Sequence, residues 1–160
     1  MLSNEPIASA GQGWHVLEVG SGEPLVILHG VFGSGDNWMS IARRLEHQFR
    51  VYLPDQRNHG KSFRSEEFGY DLLAADLLEW METRGLEAIH LLGHSMGGKA
   101  AMRFAALAPD RLKSLVVVAG MVQSIMRMIC GCGVMGPIIH YNNNHHHYTD
   151  FTTTLHYEYS

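Results

Sequence analysis

The sequence reads LLGHSMGG from Leu91 to Gly98, between a short apolar run and a longer Ala- and Met-rich helical pattern. It matches G-x-S-x-G, in which a serine sits on a sharp turn between a strand and a helix. Such a turn strains the backbone and needs small neighbours, which Gly93 and Gly97 supply. Ser95 is therefore the candidate nucleophile, and the N–H of Met96 is a candidate donor to an oxyanion. The alternative is a serine that only caps the helix.

Strand and helix patterns alternate around this turn. Short apolar or alternating runs predict strands over Trp14–Val19, Leu25–Leu28, Arg50–Leu53, Ile89–Leu92 and Leu115–Val118. Longer periodic stretches predict helices over Asp36–Leu45, with Asp36 as the cap, and over Tyr70–Thr83 and Met96–Leu107. This alternation is typical of an α/β fold with a parallel-type sheet and right-handed crossovers. We expect about five or six strands flanked by three helices.

The composition is that of an ordinary globular chain. Of the 160 residues, 46% are hydrophobic and 18% are charged, which excludes a disordered chain, a collagen-like chain and a disulfide scaffold. The net charge is -4, so we expect neither a nucleic-acid partner nor a membrane partner. The first twelve residues lack a basic region followed by an apolar stretch, and we therefore expect a cytoplasmic protein.

The character of the sequence changes near residue 119. Residues 1–119 carry 25 of the 28 charged side chains, and residues 120–160 carry Arg127, Asp150 and Glu158. The alternation of strands and helices stops at the same place. The predicted organisation is a core over 1–119 and an unassigned tail over 120–160. A shifted reading frame, or an equivalent truncation, is our hypothesis for the tail.

Two more loops of special composition follow predicted strands. The first reads HGVFGS from His29, where a turn can place the N–H of Val31 beside that of Met96. The second reads DQRNHGKS from Asp55. Open α/β sheets place their sites at the carboxyl ends of the strands, so three chemically unusual loops are expected to meet there.

These three segments together resemble the α/β-hydrolase superfamily, and more narrowly its small bacterial acyl-esterase branch. The branch carries H-G-x-F-G-S, D-x-R-N-H-G-x-S and G-H-S-M-G-G-K motifs, here at His29–Ser34, Asp55–Ser62 and Gly93–Lys99. The resemblance runs from about Trp14 to Val118 and does not extend beyond about residue 119.

The resemblance implies a serine hydrolase that acts on small carboxylic esters or thioesters through an acyl-enzyme, without a metal or an organic cofactor. Ser95 would be the nucleophile, and the N–H groups of Val31 and Met96 would form the oxyanion hole. Phe32 would line the acyl pocket and contact the substrate. Three residues of the second motif, Asp55, Arg57 and His59, would tie loops together by hydrogen bonds.

No histidine in these motifs is expected to be the base. The resemblance gives His29 and His94 supporting roles, because the family recruits its acid and its histidine after later strands. We therefore expect a core that is truncated before the cap and the last strands, with weak or no activity. The tail offers Asp150 and His156 in the right order, and other tail histidines at 140 and 145–147. We interpret the 145–147 histidines as an incidental polar tract and Cys130 and Cys132 as inert.

Two alternatives stay open. A non-catalytic remnant or binding module would leave the sheet ending at Leu115–Val118, with an unpaired edge that favours self-association. A different chemistry on the same fold, C–C bond hydrolysis or cofactor-free haloperoxidation, would use the same serine.

Overall fold

The structure is a computed structural model that describes residues 7–9, 12–118, 138–142, 145–149 and 154–156, with side chains over 13–118. Its strands are β1 (Ile7–Ser9), β2 (Gln12–Trp14), β3 (Val16–Val19), β4 (Glu23–Leu28), β5 (Phe49–Pro54), β6 (Ile89–His94), β7 (Leu112–Val118), β8 (Ile138–Asn142), β9 (His145–Thr149) and β10 (Thr154–His156). Its α-helices are α1 (Met39–Leu45), α2 (Tyr70–Thr83) and α3 (Met96–Leu107), and Gly35–Trp38 and Pro109–Arg111 form short 3-10 turns.

One sheet joins eight of these strands in the order β10-β9-β8-β7-β6-β4-β5-β3. The consecutive strands β7, β6, β4 and β5 run parallel, and β3 pairs antiparallel with β5. The chain passes from β4 to β5 on one side and then returns to β6 on the other side of β4. This reversal of strand order lies between β4 and β6, which is where open α/β sheets hold their ligands.

Helices cover both faces of the parallel strands, as the α/β prediction requires. On one face α2 and α3 bury Leu77, Trp80 and Phe104 against the sheet. On the other face α1 buries Ala42 against Ile27. None of the helices in the described ranges combines the length and the apolar character needed to cross a bilayer.

The predicted bounds of α2 and α3 are confirmed. The helical run of α2 stops before Gly85, whose φ of 64° suits glycine, and that of α3 stops before Pro109. The prediction that Asp36 caps the first helix is wrong. Trp38 is the cap residue of α1, and Asp36 lies within the preceding 3-10 turn, which is capped by Ser34, whose N–H donates to Asn37 Oδ1 at 2.7 Å.

The expectation that the sheet ends at the strand over Leu115–Val118 is also wrong. β8 pairs antiparallel with β7, with Val118 opposite Ile138 and Ser114 opposite Asn142. The sequence over Ile138–Asn142 contains β-branched and aromatic residues that favour a strand. The outer strands of the described sheet are β3 and β10. Self-association through an edge stays a prediction.

Candidate active site

Ser95 occupies the turn between β6 and α3 with an unusual backbone conformation. Its φ is 51° and its ψ is -112°, a strained conformation for a residue other than glycine. Its N–H donates to the Val118 carbonyl at 2.9 Å, and its own carbonyl accepts the Lys99 N–H at 3.1 Å. Because Met96 is the first residue of α3, its N–H has no acceptor within the helix and is available to a ligand.

Two glycines allow this turn to form against β4. A Cβ on Gly93 would lie 2.6 Å from the Gly97 carbonyl carbon, and a Cβ on Gly97 would lie 2.6 Å from the His29 carbonyl oxygen. Real Cβ atoms do not come so close to backbone atoms. The prediction that Gly93 and Gly97 supply small neighbours therefore agrees with the close packing.

The turn after β4 lies directly beside the serine. A Cβ built on Gly30 would lie 3.4 Å from Ser95 Cβ and 2.9 Å from His94 Nδ1. Two residues later, Phe32 has a φ of 61° and is 96% exposed, while Val31 is 54% exposed. The structure thus places the turn that carries Val31 and Phe32 beside the turn that carries Ser95 and Met96.

Buried His29 orients this turn through both of its ring nitrogens. The Gln56 N–H donates to His29 Nε2 at 3.0 Å, so Nε2 carries no proton. His29 Nδ1–H therefore donates to the Gly30 carbonyl at 2.8 Å, and the same carbonyl accepts the Gly33 N–H at 3.0 Å. Because a trans peptide is planar, holding the Gly30 carbonyl fixes the Val31 N–H on the opposite side.

Protonation of His29 would break the bond from Gln56. Burial lowers the pKa of His29 below its ordinary value of 6.5, since the cation is poorly solvated there. The unfolded chain then binds more protons than the folded chain between the folded pKa and 6.5. The stabilisation from neutral His29 is complete above pH 6.5 and falls as the pH drops below it.

We expect His29→Gln to reduce the loss of stability on acidification. Urea unfolding at pH 7.5 and at pH 5.5 measures this loss for the parent chain and for the variant. The matched control is His47→Gln, which replaces an exposed histidine instead of a buried one. An equal acid-induced loss in the parent chain and in His29→Gln would contradict the prediction.

The Asp55–Ser62 loop is held by hydrogen bonds, as its predicted structural role requires. Asp55 Oδ1 accepts the Gly35 N–H at 2.7 Å, and Oδ2 accepts the Lys61 N–H at 2.8 Å and faces His15 Nδ1 at 3.0 Å. Gly60 has a φ of 49° and no room for a Cβ beside the Asp55 carboxylate. Asp55 thus joins the loop to the turn at Gly35 and to His15.

The other motif histidines have no hydrogen bond to the serine hydroxyl within the described side chains. His59 Nδ1–H donates to the Arg57 carbonyl at 2.9 Å, and its ring lies 5.2 Å from that of His29. His94 packs against Trp38 with ring centres 5.9 Å apart. These positions agree with supporting roles rather than with that of the catalytic base.

The tail candidates are placed only in part. Asp150, Cys130 and Cys132 lie outside the described residues. The backbone places His140 in β8, His147 in β9 and His156 in β10, with the last two as cross-strand partners. Within the described side chains, no cluster of three or more potential metal ligands occurs. The expectation of no metal and no cofactor stays a prediction.

Two residues that support the site were not predicted from the sequence. Gln56 Nε2–H donates to the His29 carbonyl at 2.7 Å, in addition to the bond from its own N–H. Asp76 is buried in α2 and forms a two-pronged ion pair with Arg57 at 2.7 Å. Nothing in the sequence near Gln56 indicates its contact with His29. Asp76 did have a local signal, because it lies on the apolar stripe of α2 between Leu73 and Leu77.

The sequence and the fold of this chain match a known protein family and solved structures. Residues 23–129 match the family model of the alpha/beta hydrolase fold. The chain belongs to the alpha/beta hydrolase family. As a family member it has a sheet flanked by helices and a strained serine at the carboxyl end of a parallel strand.

Proteins similar to the chain are named as esterases, lipases and ethanol acetyltransferases. The chain is 41% identical over 95 residues to Esterase YbfF of Escherichia coli, covering 59% of this chain and 37% of that protein. It is 44% identical over 101 residues to the sn-1-specific diacylglycerol lipase ABHD11 of Danio rerio, covering 62% and 32%. A solved structure titled marine microorganism esterase is 50% identical with a TM-score of 0.62, covering 66% of this chain and 40% of that one. The matched part is about a third of the length of these curated relatives.

Proposed function

We propose that the chain hydrolyses small carboxylic esters or thioesters through an acyl-enzyme on Ser95. The observation that carries the proposal is the strained Ser95 turn packed against the ordered turn at Gly30. Acyl transfer requires a hydroxyl and backbone N–H donors in one small region, and the packing of these two turns supports such a site. The names of the relatives support an ester substrate.

In the proposed reaction, Ser95 Oγ attacks the carbonyl carbon and the carbonyl oxygen becomes an oxyanion. The N–H groups of Val31 and Met96 donate to that oxyanion. The alcohol or thiol leaves with a proton, and water then attacks the acyl group and frees Ser95. The orientation of the Val31 N–H depends on His29, so His29 acts as a positioning residue.

We further propose that the exposed ring of Phe32 contacts the acyl group. A phenyl ring that is 96% exposed beside the turn offers apolar surface to a substrate. The backbone at Phe32 is held at a φ of 61°, which costs free energy and is a feature of ligand-contacting turns. A small acyl group would cover part of this ring and of Val31.

We propose that this chain hydrolyses its substrate slowly. Among the side chains described over 13–118, no histidine ring hydrogen-bonds to Ser95 Oγ, and without a positioned base the proton leaves slowly. Oxyanion donors and binding alone supply about 10³- to 10⁴-fold over water in a protease precedent. We also propose a cytoplasmic location and no nucleic-acid or membrane partner.

The test is hydrolysis of p-nitrophenyl acetate by the purified chain beside Ser95→Ala. We expect the variant to lose only the part of the rate that passes through the acyl-enzyme, because the oxyanion donors and binding remain. Ser40→Ala is the matched control, since Ser40 is exposed in α1 and should change nothing. Equal rates for the parent chain and Ser95→Ala would overturn the proposed function and favour a non-catalytic chain.

A further inference from the structure

A second serine is hydrogen-bonded to a histidine at the opposite end of the sheet. Ser114 Oγ and His90 Nδ1 are 2.7 Å apart, and His90 Nε2 and Glu23 Oε2 are also 2.7 Å apart. These residues lie near the amino ends of β7, β6 and β4, which are adjacent parallel strands. The four residues from His90 to His94 place this end about 13 Å along the strand from the Ser95 turn.

The chemistry of the three groups sets the positions of the protons. A carboxylate can only accept, so His90 Nε2–H donates to Glu23, and in the neutral imidazole Nδ1 then keeps its lone pair. The Ser114 hydroxyl then donates to Nδ1. Hydrogen bonding from His90, and next from Lys113, lowers the pKa of Glu23, which keeps the carboxylate ionised. The serine therefore faces a histidine nitrogen that is ready to accept its proton.

A β-bulge turns Ser114 toward this histidine. Along the β6–β7 pair, Ile89 lies opposite Leu112 but His90 lies opposite Ser114, so Lys113 is an extra residue. Leu112 is buried, and the next two residues are both partly exposed. In regular alternation Ser114 would lie on the buried face with Leu112. Bulges of this kind re-aim side chains and are common beside active sites.

The surroundings of Glu23, His90 and Ser114 leave them partly accessible, add charge and restrict the orientation of the His90 ring. The side chain of His90 is 22% exposed, and that of Glu23 is 59% exposed. Lys113 Nζ lies 3.4 Å from Glu23 Oε1. The Phe49 ring meets the His90 ring edge-on at 5.3 Å between centres, which limits the imidazole to one orientation.

We propose that Ser114 is a second activated serine, acylated or phosphonylated by small activated esters that reach the amino end of the sheet. Ser114 Oγ forms the new bond to carbon or phosphorus, and the leaving group departs with the bonding electrons. His90 Nδ1 takes the hydroxyl proton and passes it to the leaving group or to water. The Lys113 ammonium, paired with Glu23 at 3.4 Å, adds positive charge beside this group.

The experiment is labelling of the Ser95→Ala chain with an alkyl fluorophosphonate, followed by peptide mass spectrometry. In this reaction a P–O bond forms at Ser114, the P–F bond breaks and fluoride leaves. We expect a label on Ser114 in the Ser95→Ala chain and none on that peptide when Ser114→Ala is added. Because Ser95 is absent throughout, the result does not depend on the function proposed for Ser95.

Two further variants show whether the histidine and the carboxylate activate the serine. Adding His90→Gln should slow labelling by about 100-fold, the lower end of what a positioned general base contributes. Adding Glu23→Gln at the exposed strand start should also slow it, with little risk to folding. Ser40→Ala is the matched control and should leave labelling unchanged. A Ser95→Ala chain without label on Ser114, or labelling that is indifferent to His90→Gln and Glu23→Gln, overturns the proposal.

Discussion

Replacing Arg57 with methionine should lower the free energy of unfolding by about 3–5 kcal/mol, the usual cost of breaking a buried ion pair from one side. Arg57 is 6% exposed and Asp76 is 8% exposed. Two hydrogen bonds of 2.7 Å join the guanidinium to the carboxylate. Methionine fills much of the volume of the arginine stem, so most of the loss comes from the Asp76 carboxylate left buried without a partner. Urea unfolding followed by circular dichroism measures the difference.

The same substitution at a surface ion pair is the matched control. Arg43 Nη1 lies 3.2 Å from Glu46, but the Arg43 side chain is 47% exposed, so Arg43→Met should cost less than about 1 kcal/mol. Adding Asp76→Leu to Arg57→Met should recover part of the stability, because no unpaired charge then remains. If Arg57→Met costs no more than Arg43→Met, the buried pair does not hold the loop to α2.

This ion pair matters to the site because it holds the loop that orients the oxyanion turn. Arg57 also donates from Nη1 to the Glu67 carbonyl at 3.0 Å and packs over the Phe63 ring at 5.4 Å. Its neighbour Gln56 donates twice to His29, which holds the Gly30 carbonyl. A change at Arg57 is therefore transmitted to the turn beside Ser95 through two residues.

Local signals were sufficient to predict the helices of the core. The stripe of Leu73, Leu77 and Trp80 is buried as its spacing requires, and Gly85 and Pro109 follow the two long helices as stop signals. The start of β7 was missed because Lys113 and Ser114 are two successive polar residues. A bulge explains them, and a bulge depends on the partner strand, which is not visible in a local pattern.

The strand after residue 119 was missed for a related reason. Ile138–Asn142 has suitable residues for a strand, but neither alternation nor a turn signal says that it pairs with β7. Strand pairing over a separation of twenty residues depends on tertiary contacts, which override local propensity. Low charge in a segment therefore did not show that the segment lies outside the sheet.

The site was predictable to the extent that its residues are close in sequence. Ser95 and its small neighbours Gly93 and Gly97 could be predicted from a motif of five residues, since the backbone strain is local. Gln56 acts on His29 across 27 positions, and Arg57 acts on Asp76 across 19. Contacts between residues so far apart in sequence can be predicted only when the folded arrangement of the loops is known. The roles of Val31, Phe32 and Met96 stay predictions that the activity and labelling experiments address.

Gly97→Ala should slow the labelling of Ser95 by a fluorophosphonate by about 100-fold, because it displaces the turn that carries the Val31 N–H. A Cβ at this position would lie 2.6 Å from the His29 carbonyl oxygen and 2.6 Å from the Leu28 carbonyl carbon. Both atoms are backbone, so the end of β4 must move away from α3. Overpacking of this kind also lowers the free energy of unfolding by about 1–3 kcal/mol.

Close packing and helix propensity have opposite effects on the stability of Gly97→Ala. Alanine is a better helix former than glycine by about 1 kcal/mol, so an unobstructed Gly97→Ala in α3 would stabilise the chain. Gly13→Ala is the control for space, since nothing lies within 4 Å of a Cβ built there, and it should leave labelling unchanged. Peptide mass spectrometry gives the rate at Ser95 and urea unfolding gives the stability. A Gly97→Ala chain that is more stable and labelled at the parent rate would show that β4 and α3 do not approach closely enough to require glycine.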